Sequence, residues 1–153
     1  MRSVGRILIV TACAWGAALG LARGDEPGMI GLAGGYSTRF HKPTFAVELL
    51  APVGPSLHAN LSLEYLEAGR VRHITTSLDV QYRFRIYHRL LGWGGVGFGI
   101  RTDDPIGPGE STTRDFQADV LVGLGWEMAL MPTLQVRVAG GKATVLGGFR
   151  IIL

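Results

Sequence analysis

The feature that most constrains this chain is an unbroken alternation of side-chain character at a period of two. From His73 to Phe84, Ile74, Thr76, Leu78, Val80, Tyr82 and Phe84 share one side of an extended strand. His73, Thr75, Ser77, Asp79, Gln81 and Arg83 share the other. Successive side chains on a strand point to opposite faces, so this spacing belongs to β-structure and not to a helix. Phe116 to Glu127 repeats the pattern, with Phe116, Ala118, Val120, Val122, Leu124 and Trp126 against Gln117, Asp119, Leu121, Gly123, Gly125 and Glu127. Leu57 to Leu66 does so again. No segment after residue 27 keeps a helical period over three turns, which excludes an α or α/β fold.

Weaker segments complete the set: Met29–Ser37, Thr44–Ala51, Leu90–Arg101, Thr133–Ala139 and Lys142–Leu153. Eight strands are expected, an even number. Pro43, Pro52, Pro55, Pro105, Pro108 and Pro132 are expected between them, where a missing backbone donor does no harm. Thr102–Thr113 is the longest expected connector. No composition shift or low-complexity run divides the chain.

The N-terminus reads as an export signal. Arg2 and Arg6 precede an apolar run from Ile7 to Ala22, and Ala22-Arg23-Gly24 places small residues at a cleavage site. Residues 1–24 are therefore expected to be a signal peptide, and 25–153 the folded domain. The apolar run is short for a membrane-spanning helix. Cys13 is the only cysteine and lies inside this run, so no disulfide is expected in the domain. The chain's net charge of +3 comes from the same region. Without Arg2, Arg6 and Arg23, twelve basic residues face twelve acidic ones. A neutral domain lacks the electrostatic footprint of a nucleic-acid binder.

Alternation alone does not say which face is inside. A soluble barrel turns its apolar face inward, and a membrane barrel turns it outward. Strands of eleven or twelve residues suit a tilted bilayer crossing. With the N-terminus on the periplasmic side, the joins near Pro52–Pro55, Arg85–Arg89 and Met128–Pro132 are brief. The aromatics are expected in two girdles on the apolar face: Phe45, Tyr65 and Phe116 at the outer ends, and Tyr82, Phe84, Trp93 and Trp126 at the periplasmic ends. With these go the signal peptide, Gly31-Leu32-Ala33-Gly34-Gly35-Tyr36, the glycine-rich Gly92–Gly99 segment and a strand that ends the chain. On these features residues 28–153 resemble the small eight-stranded outer-membrane barrels of the OmpA, OmpX and OmpW class. The resemblance implies an all-β, antiparallel, up-and-down transmembrane barrel in the outer membrane of a Gram-negative-type bacterium. It also implies a monomer inserted by the barrel-assembly machinery. The chain departs from the class pattern at its end, Phe149-Arg150-Ile151-Ile152-Leu153, which lacks a terminal aromatic.

Little in the sequence points to catalysis. Gly92-Trp93-Gly94-Gly95-Val96-Gly97 matches a dinucleotide-binding string, but no helix follows it. His58, Ser62 and Glu64 share one strand face with Asp79 on the next, and some lipid A deacylases are barrels of this kind. His58 and Ser62 are four residues apart, about 13 Å at strand rise, too far for a nucleophile and its base. The histidines show no metal-ligand spacing, and no cofactor is expected. The polar set instead reads as a filled lumen: Glu48, His58, Glu64, His73, Asp79, Arg83, Asp119, Glu127, Arg137 and Arg150. An eight-stranded barrel is just wide enough for its own side chains, and opposite charges on one face can pair there. Arg39, Lys42, Arg70, Arg72, Arg101, Arg114 and Lys142 are expected at the outer rim, at the height of lipopolysaccharide phosphates. Three readings are open on sequence: a non-enzymatic barrel with a structural, lipid-contact or surface-interaction role; a lipid-modifying enzyme; and a soluble periplasmic binding barrel.

Overall fold

A computed structural model describes residues 27–107 and 111–153. The expected signal peptide, its cleavage site and Cys13 lie outside the described residues, as does Pro108. The described chain forms eight strands: β1 (Met29–Ser37), β2 (Lys42–Gly54), β3 (Leu57–Ala68), β4 (Val71–Tyr87), β5 (Leu90–Pro105), β6 (Thr113–Trp126), β7 (Leu130–Ala139) and β8 (Lys142–Ile152). Each pairs antiparallel with its sequence neighbour, and β8 pairs with β1 to close the barrel. Closure leaves no free sheet edge.

The register shows how the barrel closes. Met29 faces Leu50, and the line continues through Asn60, Asp79, Gly97, Asp119 and Ala139 to Lys142. The partner of Met29 on β8 is Ile152, so the circuit closes with a stagger of ten residues. Strands so staggered tilt by roughly 40° to the axis. The lower rim, beside Met29, carries the turns after β2, β4 and β6. The upper rim carries the turns after β1, β3, β5 and β7, including the longest one between Pro105 and Thr113. Gly140 and Gly141 both have positive φ, as a tight two-residue hairpin turn requires.

Four prolines expected between strands lie within them instead. Pro43 and Pro52 are in β2, Pro132 is in β7, and Pro105 ends β5. Each sits where the ladder on one side is missing or irregular, so the absent N–H costs little. Pairing of β2 with β3 begins only at Phe45, beyond Pro43, and its register shifts between Pro52 and Gly54. Pairing of β6 with β7 ends at Thr133, short of Pro132, and that of β5 with β6 stops at Asp103, short of Pro105.

The faces settle the question that alternation left open. Large apolar side chains point outward and are exposed: Phe116 at 74%, Val96 at 64%, Phe45 at 65% and Val120 at 53%. Charged and polar side chains point inward and are buried, Asp79 at 0% and Arg150 at 1%. A soluble barrel has the opposite arrangement. Apolar outside and polar inside is the pattern of a barrel solvated by lipid.

Candidate functional site

The interior is filled in layers. At the lower end Met29, Leu50, Leu91 and Met131 form a small apolar cluster across the lumen. Arg83 approaches it from below, with Nη2 3.0 Å from Met29 Sδ. Arg83 also lines a half-open cleft of about 330 Å³ at the lower mouth, with Arg85, Glu127 and Ile152. Glu127 was expected in the lumen. It lies just past the end of β6 and pairs at this mouth with Arg85 at 2.8 Å, where both side chains are half-exposed.

Above the apolar cluster, Arg150 donates to Glu48 Oε2 from Nε at 3.1 Å and from Nη2 at 2.8 Å. Gln135 donates to Glu48 Oε1 and accepts from Arg150 Nη2. Trp93 Nε1 donates to the same Gln135 oxygen at 3.1 Å, and the Arg150 guanidinium lies 4.2 Å from the indole centroid. Higher still is a second knot. Arg137 donates from Nη1 to Ser62 Oγ at 2.7 Å and Glu64 Oε1 at 2.8 Å, and from Nη2 to Asp79 Oδ2 at 2.7 Å. Asn60 also donates to Asp79 Oδ2. Asp119 and His58 are buried on the same inner face.

Buried charges of this kind hold only when opposite charge and hydrogen bonds replace water. The strands meet that condition by register, because inward positions on β2, β3, β4, β7 and β8 bring acids and arginines to neighbouring heights.

A third cluster closes the upper mouth. His73 Nδ1 contacts Asp103 Oδ1 at 2.7 Å, and Arg101 bridges Asp103 and Asp115 at 3.0 and 3.1 Å. Phe40, from the turn after β1, stacks on His73 with centroids 4.0 Å apart. Arg101 was expected on the outer rim. It is 9% exposed because its strand phase turns it inward onto two carboxylates. Arg39, Lys42, Arg70, Arg72, Arg114 and Lys142 are exposed around that rim.

Phe45, Tyr65 and Phe116 lie outward on the upper half, and Tyr82, Phe84 and Trp126 on the lower half. Trp93 is the exception: expected in the lower girdle, it is 2% exposed inside the lumen. A Cβ on Gly123 of the adjacent strand would sit 2.4 Å from its Cε2, so that glycine makes room for the indole. Trp93 shares its phase with Arg101, eight residues on. That phase is hard to read where Gly92, Gly94, Gly95, Gly97 and Gly99 blur the alternation. Fluorescence checks the placement. In a barrel begun at Asp25, which leaves out Trp15, Trp126→Phe should leave Trp93 emission that resists quenching by brominated lipid, whereas in Trp93→Phe the remaining Trp126 should be quenched strongly. Strong quenching of Trp93 would restore it to the outer face.

Among the described residues, no hydrolytic triad is assembled around Ser62. Its Oγ accepts from Arg137, and His58 lies four residues below it on β3. His73 pairs across with Leu66, four residues above Ser62 and about 13 Å away along the strand. Among the described residues, no three His, Cys, Asp or Glu side chains gather as a metal centre.

No protein-family model matches the chain, and no curated protein is similar to it in sequence. Solved structures are similar in fold. The N-terminal β-barrel domain of Pseudomonas aeruginosa OprF superposes with a TM-score of 0.69 at 16% identity, covering 84% of this chain and all of that one. Neisserial surface protein A gives 0.61 at 10% identity, over 82% of this chain and 94% of the other. The outer membrane enzyme PagL gives 0.53 at 12% identity, over 82% and 99%. At such identities the likeness establishes architecture alone: the chain has the closed eight-stranded fold of the small outer-membrane barrels.

Proposed function

We propose that this chain is a non-enzymatic barrel of the outer membrane, monomeric, with a structural, lipid-contact or surface-interaction role. The observation that carries this reading is the inverted packing: an apolar belt outside and a lumen of buried acids, arginines and amides inside. A soluble binding barrel would need an apolar cavity, and here the interior is filled by arginine, acid and amide. In this reading the lower rim is periplasmic, the upper rim faces out, and the barrel-assembly machinery inserts the chain. Fractionation tests the placement: the folded protein should stay with outer-membrane lipid, and recovery free in the periplasm would end the proposal.

A barrel plugged by three charged clusters above an apolar one should not conduct. Planar-bilayer recordings of the purified monomer are expected to show no steady porin-like current. Large, stable channels would contradict the plug.

The exposed cations of the upper rim support a contact with lipopolysaccharide phosphates, since arginine forks match phosphate oxygens. Converting Arg70, Arg72, Arg114 and Lys142 together to glutamine should weaken retention on lipopolysaccharide-coated resin and lower its salt sensitivity. Unchanged retention would remove the rim from the proposal.

The PagL likeness favours one second reading, a lipid-modifying activity. Comparing lipid A acylation with and without the protein separates the two, and a protein-dependent loss of acyl chains would favour the enzyme.

A further inference from the structure

We infer that the upper knot of the lumen is a binding site for one small, hard divalent cation, held between Asp79 and Asp119. The two residues lie on one line of register, separated only by Gly97 of β5. A Cβ on Gly97 would fall 2.4 Å from Asp79 Oδ1, so the glycine provides the floor on which that carboxylate lies. Both carboxylates are inside the lumen, with Asp79 at 0% exposure. Asp79 Oδ2 is occupied by Arg137 and Asn60, while Oδ1 makes no hydrogen bond. Neither oxygen of Asp119 makes one, although the residue is only 3% exposed. Asn60 Oδ1, on a residue with 0% exposure, is likewise unpartnered.

Two facing carboxylates without a cation between them are both costly to bury and mutually repulsive. The charge around them points the same way. Glu48 is matched by Arg150 one layer below. Arg137 pairs with Glu64 and Asp79, and Asp119 is buried on the same inner face. Three negative charges about one positive charge leave room for a dication. The donor set consists of carboxylate and amide oxygens, the ligands that Ca²⁺ and Mg²⁺ prefer, with water completing the shell. The same cation would join β3, β4 and β6 through side chains, beyond their backbone ladder.

The test uses the whole protein in detergent, freed of lipopolysaccharide and stripped of divalent ions with EDTA. Calorimetric titration with CaCl₂, and separately with MgCl₂, should report one site per barrel. The unfolding midpoint should rise with the ion that binds. Asp119→Asn should lose both responses, and Asp104→Asn, at the upper rim, should keep both. If Asp119→Asn fails to fold, Asn60→Ala, which removes the donor to Asp79 Oδ2, is expected to weaken binding about tenfold. The inference is overturned if the wild type takes up neither ion at about 10 mM, or if Asp119→Asn titrates like the wild type. It is also overturned if the midpoint follows pH and ignores both ions. That last result would mean that Asp79 and Asp119 share a proton, beside Glu48, His58, Glu64, Arg137 and Arg150.

Discussion

Replacing Arg137 by alanine should lower the folding free energy by about 3–5 kcal/mol, the largest single loss expected in this barrel. The guanidinium bonds Ser62, Glu64 and Asp79 at once, and its side chain is 4% exposed. Its removal strands Glu64 and Asp79, the two buried carboxylates that it pairs. The size of the loss comes from those orphaned acids, so Arg137→Ala combined with Asp79→Asn and Glu64→Gln should recover a substantial part of it. The pair Arg85–Glu127 provides the contrast. Its 2.8 Å separation is just as short, but its side chains are 55% and 39% exposed, so breaking it should cost only about 0–1 kcal/mol. Urea titrations of the folded and unfolded forms, in lipid vesicles, measure both. A loss below about 1 kcal/mol for Arg137→Ala would show that water, not pairing, solvates the knot.

Val120→Arg is expected to destabilise the barrel by about 2–4 kcal/mol, because Val120 lies near the middle of β6 and faces outward between Val96 and Val138. A soluble core would reject arginine too, so labelling must accompany the energy. Cys13 is the chain's one cysteine, and it precedes the barrel. Val120→Cys should react with a bilayer-soluble maleimide and resist a charged one. Asp119→Cys, one residue away and facing the lumen, should be shielded from the bilayer reagent and react slowly in water. Prompt aqueous labelling at residue 119, with none from the bilayer at residue 120, would end the membrane reading.

The strands were legible because alternation survives wherever charged and apolar residues take turns. Met29–Ser37 matches its expected bounds, and His73–Phe84 falls wholly inside β4. Strand ends were less legible: β2 and β7 run through prolines and β5 ends on one, and their tolerance depends on where a neighbour stops pairing, which one strand's sequence does not show. The lumen's acids and arginines could be named from phase alone, but their partners could not. That Arg137 meets Asp79 and Arg150 meets Glu48 depends on the ten-residue stagger, a property of the closed circuit. Trp93 was misplaced because an aromatic in a glycine-rich strand resembles a girdle residue, and the space it fills belongs to Gly123 on another strand. Phe40 gave no sign at all; a turn residue has no phase, and only the folded loop brings it onto His73.

The unequal lengths of the strands bear on the surrounding lipid. β4 and β5 run 17 and 16 residues, while β1 and β7 run 9 and 10. The outward apolar file on β4 extends from Ile74 to Ile86, whereas on β1 it extends only from Ile30 to Tyr36. In the outer membrane, where we propose that it sits, the barrel would present a tall apolar wall on one flank and a low one on the other, at the seam where the last strand meets the first. The bilayer must pinch at the seam, or the whole cylinder must lean toward its tall side. Either response would concentrate elastic stress where β8 meets β1.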